Sequence, residues 1–250
     1  MKQRSTQPEW LDTKGYDSLE EYHDCLEKLD RVGRWLSGDR ATFKALAAFP
    51  QAKTVLDVGC GGGFFAYKLA KKHPHLEVTG IDTNPDAIAF ANTLSPPLSN
   101  LSFEVRSRPQ LAEPANRFDI IMTTLVCHHM KDEELTQFLR QAFDLARQGV
   151  VINDLHRHIV PYHAFKMLAP IFFRNRIVQH DGPLSIQRAF TRADWLSYLH
   201  SAGIPEHYYN IQWRWAFRWV VIIRKTSSLL GQALPALALL AIWPKVVILL

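Results

Sequence analysis

Glycines and carboxylates are concentrated between residues 54 and 84 in a pattern that can bind a nucleotide-like ligand. The stretch TVLDVGCGGGFFAYKLA (54–70) begins with β-prone apolar residues, continues with four glycines between Gly59 and Gly63, and ends with helix-forming residues. Glycines in such a turn let the backbone approach a ligand closely and adopt positive φ angles. The amino-terminal amides of the following helix point at the turn. The residues therefore predict a ligand site at the carboxyl end of a buried strand.

Two carboxylates lie close to the glycine turn in the sequence, and one aromatic residue after the turn disfavours a dinucleotide as the ligand. Asp57 lies on the strand that enters the turn, and Asp82 ends the next predicted strand, 23 positions after Gly59. A carboxylate at that place can accept hydrogen bonds from both hydroxyls of a ribose. A dinucleotide fingerprint requires glycine or alanine where this chain has Phe64, because the helix packs closely on the strand there. The pattern predicts a nucleoside-type ligand and disfavours a nicotinamide-dependent oxidoreductase.

A second group of polar residues follows the fifth predicted strand. The segments VINDLHRHIVPYHAF (151–165) and VQHDGPLSIQRAFT (178–191) are rich in histidine and contain Asp154 and Asp181. A histidine with a near-neutral pKa can take the proton of a phenol or enol, and a neighbouring aspartate fixes its tautomer. His156 is the first candidate for this general base and His180 the second. Metal binding and purely structural roles are the alternatives. The i, i+2 spacing and the lack of a nearby cysteine predict no metal site.

Strand and helix signals alternate from residue 53 onward. Alternating apolar and polar residues between Ile211 and Trp219, and the apolar run Val220–Ile223, predict the last strands. This alternation is typical of an α/β protein whose parallel sheet is covered by helices on both faces. The earlier predicted strands are Thr54–Val58, Leu76–Ile81, Leu101–Val105, Phe118–Thr123 and Val150–Asn153, with helices at 64–72, 85–93 and 132–147.

The residues before the first strand are predicted to be helical. Ser18 and Glu21 form a capping box ahead of a helix over 18–36. Asp39 is the expected cap of a second, shorter helix. The predicted division is a helical entry or lid at 1–50, a main domain at 51–225 with a substrate-facing insertion at 155–190, and an apolar tail at 226–250.

Composition limits the partners of the chain. The 250 residues are 47% hydrophobic and carry a net charge of +5, without the dense lysine and arginine block that binds nucleic acid. Three scattered cysteines suit a reducing compartment, and the first residues lack the apolar core of a secretory signal. The apolar tail predicts a membrane-associated segment, a docking helix or a disordered end. We expect a cytoplasmic protein without a nucleic-acid partner, with membrane association through residues 226–250 as one option.

The glycine turn resembles motif I of class I S-adenosylmethionine-dependent methyltransferases, to which DVGCGGG (57–63) is close, and GIDTNPDAI (80–88) resembles their next motif. The resemblance implies a Rossmann-like sheet of seven mostly parallel strands flanked by helices, with S-adenosylmethionine as methyl donor. It assigns ribose binding to Asp82. Ser107 stands where the family often has an acid for adenine. The cofactor-binding residues expected from the match are Asp57, Gly59, Gly61, Gly63, Asp82, Thr83, Ser107 and Thr124.

The acceptor side resembles a narrower group. The segments LEKLDRVGRWLSGDRAT (26–42), NDLHRH (153–158) and HDGPLSIQRAFT (180–191) are similar to methyltransferases found with type III polyketide synthases and, more loosely, to ubiquinone and menaquinone methylases. This similarity implies a small, lipophilic, phenolic or quinone-like acceptor, with O-methylation favoured. C-methylation of a quinone precursor and a non-catalytic, membrane-associated partner that retains the fold are the alternatives. His128 and His129 follow the fourth strand, and in many small-molecule methyltransferases one of such a pair is structural.

Overall fold

A computed structural model describes residues 1, 3–106, 111 and 115–225 of the chain. Its strands are β1 (Thr54–Val58), β2 (Glu77–Asp82), β3 (Leu101–Val105), β4 (Ile120–Thr124), β5 (Gly149–Leu155), β6 (Tyr209–Arg214) and β7 (Arg218–Arg224). Its helices are α1 (Leu19–Trp35), α2 (Gly38–Leu46), α3 (Phe64–Lys72), α4 (Pro85–Ala91), α5 (Asp132–Leu145), α6 (Ile159–Phe172), α7 (Arg176–Arg188) and α8 (Arg192–Ser201).

The strands form one sheet in the order β3-β2-β1-β4-β5-β7-β6. The first five strands are parallel, and β7 runs antiparallel between β5 and β6. The strand order reverses next to β1, between β1 and β4, which is where open α/β sheets bind their ligands. The prediction of a seven-stranded, mostly parallel, Rossmann-like sheet is confirmed.

Both faces of the sheet are buried, which explains why its central strands are almost continuously apolar. On one face Leu56, Ile121 and Ile152 pack in a cluster with α5 and α8, whose buried residues include Leu135 and Trp195. On the other face β1, β4 and β5 contribute side chains to a second cluster with α2 and α3: Val55, Ile120 and Val151. The carboxyl ends of the parallel strands are therefore fixed by packing on both sides.

The predicted N-terminal helices are present, with one difference at a helix start. Ser18 caps α1, and its side chain accepts a hydrogen bond from Glu21 N at 3.2 Å. The expected cap of α2, Asp39, is wrong: Ser37 occupies the N-cap position with φ of +57°. The Asp39 carboxylate instead binds Lys68 of α3 at 2.6 Å, because an ion pair to the neighbouring helix competes with local capping.

The last two strands lie where the alternating run and the apolar run after it predict them. A turn divides the run between Ile211 and Trp219, because β6 ends at Arg214 and the chain turns at 215–217 into β7. The region 155–190 forms α6 and α7. Ser107 and the apolar tail at 226–250 lie outside the described residues. Among the residues that are described, no helix is long and apolar enough to cross a membrane.

Candidate cofactor and acceptor site

The glycine turn connects β1 to α3 at the carboxyl edge of the sheet. Gly59, Gly61 and Gly63 all have positive φ angles, of +72°, +53° and +74°. Gly59 N donates a hydrogen bond to Ile81 O at 2.8 Å, which attaches the turn to the end of β2. Gly63 is the N-cap residue of α3, so the first amides of that helix open toward the turn.

Packing requires only some of these glycines. A Cβ atom on Gly59 would lie 2.5 Å from a Val126 methyl group, and one on Gly63 would lie 2.5 Å from the Phe103 ring. A Cβ atom on Gly61 would find its nearest neighbour, Leu26 Cδ2, at 3.9 Å. Packing therefore leaves room for a methyl group at Gly61, and a ligand can approach its backbone there.

Asp82 links the glycine turn to the start of α4. Its Oδ2 atom accepts a hydrogen bond from Gly61 N at 2.9 Å, and its Oδ1 atom accepts one from Asn84 N at 2.9 Å. A carboxylate offers about four acceptor positions, so both oxygens can accept further hydrogen bonds from a ligand such as a ribose. Thr83, the next residue, is exposed beside them. The Asn84 side chain caps α4 by accepting from Asp86 N at 3.0 Å.

Asp57 lies below the turn and is buried, with 3% of its surface exposed. Burial raises its pKa to about 7, and the charge of Asp82 adds to the shift. Neither a described side chain nor a described main-chain group lowers that pKa by a hydrogen bond. A cation placed at the turn would offset this burial cost and favour the ionised form.

Helix α1 covers the turn from the solvent side. Tyr22 and Leu26 of α1 pack in one cluster with Ala87 of α4, and Phe64 and Phe90 lie against that cluster. The Phe64 and Phe90 rings meet edge to face at 5.6 Å. A large ring thus stands where a dinucleotide fingerprint has a glycine so that helix and strand pack closely, in agreement with the sequence-based argument against a dinucleotide.

The end of β4 approaches the turn from the other side. Thr124 Oγ1 is buried without a hydrogen-bond partner among the described residues, which suits contact with a ligand. The next residue, Leu125, has a φ of +58°, which is strained for a leucine. Val126 then contacts Gly59. A short 3₁₀ turn with His128 and His129 follows, so these histidines lie on the acceptor side of the turn.

His128 is paired with a buried aspartate. Its Nδ1 atom lies 2.7 Å from Asp154 Oδ1, and its exposure is 3%. Burial of Asp154 opposes its ionisation, but His128, the Leu155 N–H and His129 together outweigh burial and keep the pKa of Asp154 below its usual value. Glu9 completes the group: its Oε1 atom lies 3.8 Å from His128 Nε2, and its Oε2 atom lies 3.9 Å from His129 Nε2. No sequence signal indicates Glu9, because it lies in a segment without periodicity, far along the chain from its neighbours.

The two candidate bases have different environments. His180 Nδ1 lies 2.6 Å from Asp181 Oδ1, and the ring stacks on Trp10 with centroids 3.9 Å apart. His156 follows β5, and its Nδ1 accepts a hydrogen bond from Trp213 Nε1 at 3.2 Å. Burial and nearby cationic groups lower the pKa of His156. The structure therefore places His180 in a histidine–aspartate pair and His156 against the β6–β7 hairpin.

The sheet order, the glycine turn after β1 and the acid after β2 define a Rossmann-like α/β protein with a nucleoside site. Residues 55–149 match the family described as "Methyltransferase domain". This match confirms that residues 55–149 form a methyltransferase domain, in agreement with the predicted class, a class I S-adenosylmethionine-dependent methyltransferase, and with its cofactor.

Curated relatives carry several methyltransferase names. The chain is 30% identical to a "Ubiquinone biosynthesis O-methyltransferase" of Caulobacter vibrioides, over 58% of this chain and 56% of that protein. It is 31% identical to a "2-methyl-6-phytyl-1,4-hydroquinone methyltransferase" of Synechocystis sp., over 45% and 34%. It is 28% identical to an "Ajmaline N-methyltransferase" of Rauvolfia serpentina, over 44% and 38%. The chain thus spans between a third and just over half of the length of these relatives.

Solved structures share the fold at lower identity. The plantazolicin methyltransferase BpumL, solved with a monoazolic desmethylPZN analog and SAH, superposes with a TM-score of 0.64 at 17% identity, over 87% of this chain and 93% of that one. Human N-acetylserotonin methyltransferase, solved with SAM, gives a TM-score of 0.63 at 16% identity, over 88% and 63%. At these identities the likeness establishes the fold.

Gly61→Ala tests whether ligand binding requires a residue without a side chain at this position of the turn. We expect the variant to fold, with a loss of about 1–2 kcal/mol from the positive φ, and to bind S-adenosylhomocysteine at least about tenfold more weakly. Calorimetric titration and thermal melting measure the two effects. Gly203→Ala is the matched control, because Gly203 has a φ of +68° and follows α8. Native affinity in Gly61→Ala would contradict the assignment.

Asp57→Asn tests the burial cost of the carboxylate. The pKa of about 7 in the folded protein lies above the usual 3.8. The loss of folding stability caused by ionising the buried group therefore begins as pH rises from about 4 and is complete above 7. Without cofactor, the variant should melt higher than the parent at pH 8, with a smaller difference at pH 5. It should bind S-adenosylhomocysteine more weakly at pH 8, because an amide cannot neutralise an ammonium group.

Asp119→Asn is the control, because ionisation of Asp119 should stabilise the fold, whereas ionisation of Asp57 should destabilise it. Burial opposes ionisation of Asp119, but hydrogen bonds from Lys53 N and other donors outweigh it and lower its pKa. Its stabilisation is present above the unfolded pKa and is lost as pH falls through the folded pKa, so Asp119→Asn should melt lower than the parent at pH 8. If Asp57→Asn behaves in the same way, Asp57 is a structural acid and our account of it fails.

Proposed function

We propose that the chain transfers the methyl group of S-adenosylmethionine to a small, lipophilic, phenolic or quinone-like acceptor, with oxygen as the favoured methylated atom. The observation that carries the proposal is the pair of carboxylates, Asp57 and Asp82, at the glycine turn. Two acids next to the turn repel a pyrophosphate but attract an ammonium and a sulfonium. S-adenosylmethionine has both cations and no phosphate.

We assign the cofactor contacts by position in the turn. The backbone at Gly59, Gly61 and Gly63 supports the amino-acid part of the cofactor, with Asp57 as the nearest buried anion. Asp82 accepts the ribose hydroxyls, because its oxygens already face the turn through Gly61 N. Thr83 and Thr124 flank these groups on β2 and β4. Ser107 remains the sequence-based candidate for the adenine.

His180 is the general base that the geometry favours. Its Nδ1 atom donates to Asp181, so Nε2 carries the free lone pair that can take a proton from a phenol. Its side chain is 28% exposed, which leaves it accessible to an acceptor. The Nδ1 lone pair of His156 is already occupied by the Trp213 N–H, so Nε2 of the neutral ring carries the hydrogen. His156 is therefore the weaker candidate, although the sequence ranked it first.

Exposed apolar side chains support a lipophilic acceptor and peripheral contact with a membrane surface. Helix α6 exposes a row of apolar side chains, and Trp215 in the β6–β7 turn is 65% exposed. Lys166 lies among the α6 residues and could approach anionic headgroups. Two of the relatives named above carry quinone-pathway or hydroquinone names, which agrees with such an acceptor. The exposed apolar residues of α6 are Ile159, Val160, Met167, Leu168, Ile171 and Phe172.

Incubation of the full chain with S-adenosylmethionine and a panel of long-chain phenols and hydroquinones tests the proposal. We expect S-adenosylhomocysteine and a product heavier by one methylene unit, and fragmentation of that product distinguishes O- from C-methylation. Analogues with the hydroxyl already methylated serve as controls and should stay unchanged. Cofactor binding without any product across the panel would favour a non-catalytic partner instead.

His180→Gln tests the assigned base. Turnover should fall by about 10²-fold or more, while affinity for S-adenosylhomocysteine stays the same. His156→Gln is the comparison variant and should retain most of the turnover. If His156→Gln loses the activity and His180→Gln keeps it, the order of the two candidates is reversed.

A further inference from the structure

Three donor groups converge on one buried point beside the proposed acceptor site. Glu9 comes from the N-terminal segment, and His128 and His129 come from the 3₁₀ turn after β4. One carboxylate oxygen and one ring nitrogen from each histidine all lie within 4.8 Å of one another. The sequence-based prediction of no metal site rested on the histidines of segments 151–165 and 178–191. Two adjacent histidines and a glutamate from a distant segment follow none of the spacings of known metal motifs, so this group carried no sequence signal.

Both imidazole rings are oriented by carboxylates on their far sides. His128 Nδ1 lies 2.7 Å from Asp154 Oδ1, and His129 Nδ1 lies 2.9 Å from Asp12 Oδ2. Each Nδ1 therefore carries the hydrogen, and each Nε2 directs its lone pair toward Glu9. A ligating histidine in a metalloprotein is usually oriented by such a hydrogen bond from its other ring nitrogen.

Glu9 is buried, and its two carboxylate oxygens differ in their hydrogen bonding. Its Oε2 atom accepts a hydrogen bond from Ser185 Oγ at 2.8 Å. Its Oε1 atom is buried without a hydrogen-bond partner among the described residues, and 2% of Glu9 is exposed. The Arg188 Nε atom approaches Oε1 to 3.5 Å but donates its hydrogen to His128 O at 3.0 Å. A bound cation would satisfy a buried carboxylate oxygen that receives no hydrogen bond from the described residues.

We propose that Glu9, His128 and His129 bind a divalent transition-metal ion of the Zn²⁺ type. Two imidazoles and one carboxylate are a common donor set for such ions, and three protein ligands leave a coordination position open. Ligands at 2.0–2.2 Å from a tetrahedral ion lie roughly 3.3 Å apart. Glu9 Oε1 lies 3.8 Å from His128 Nε2 and Glu9 Oε2 lies 3.9 Å from His129 Nε2, so a contraction of about half an ångström brings the carboxylate and both rings to this spacing. The Arg188 guanidinium can remain in place, because its N–H groups also donate to main-chain carbonyls, including His129 O at 2.9 Å.

Titration of the chelator-stripped full chain with Zn²⁺ against a chromogenic chelator tests the proposal, with Co²⁺ absorption reporting the coordination. We expect one equivalent of tight binding. Glu9→Gln, His128→Gln and His129→Gln should each weaken it by about tenfold or more. Asp12→Ala leaves all three ligands in place, removes the acceptor of the His129 Nδ1 hydrogen, and should weaken binding by about tenfold through the freed His129 ring.

The His73→Gln/His75→Gln double variant is the matched control. The rings of this pair lie 5.7 Å apart, away from the proposed site, and their loss should leave binding unchanged. If Glu9→Gln binds Zn²⁺ as the parent does, or if the double variant abolishes binding, the proposal is overturned. Glu9→Gln decides the outcome even if a histidine variant fails to fold, because its amide oxygen can still accept from Ser185. Metal stoichiometry is read without methyl transfer, so the result does not depend on the proposed function.

Discussion

Two carboxylates at the ends of neighbouring strands are the constraint on which the rest of the site depends. β1 and β2 run parallel with Asp57 opposite Gly80, which brings Asp57 and Asp82 to the same edge of the sheet. Burial raises the pKa of Asp57 to about 7, and the charge of Asp82 contributes. Like charges in a desolvated place favour a cationic ligand and oppose an anionic one. The electrostatics therefore select S-adenosylmethionine over a dinucleotide before any acceptor is considered.

The backbone around these acids is shaped by close packing. Val126 and Phe103 leave no room for side chains at Gly59 and Gly63, whereas a Cβ atom on Gly61 would make only ordinary van der Waals contact. Val126 also connects the glycine turn to the 3₁₀ turn that follows β4. The cofactor side and the acceptor side are thus joined by one loop, in which Leu125 has a strained positive φ. Strain of this kind commonly marks a functional segment, because surrounding contacts must compensate for it.

Local sequence patterns predicted the strands, the helices and the cofactor motif, whereas contacts between distant parts of the chain could not be predicted. Strand periodicity predicted the sheet. The glycine spacing, together with the acid after β2, predicted the class of protein and its cofactor. Asp39 was assigned as a helix cap because capping is a local rule, but Lys68 from another helix bound it instead. Glu9 was missed because only the tertiary fold brings the N-terminal segment to His128. Spacing along the chain cannot reveal such a contact, nor the hydrogen bond that occupies the ring of His156.

Calorimetric titration of the full chain with S-adenosylhomocysteine and, separately, with NAD tests the central claim most directly. The paired carboxylates and the Phe64 ring should give micromolar binding of S-adenosylhomocysteine and no detectable binding of NAD. Binding of NAD without binding of S-adenosylhomocysteine would contradict the account, because a pyrophosphate would then be accepted beside two acids at the glycine turn.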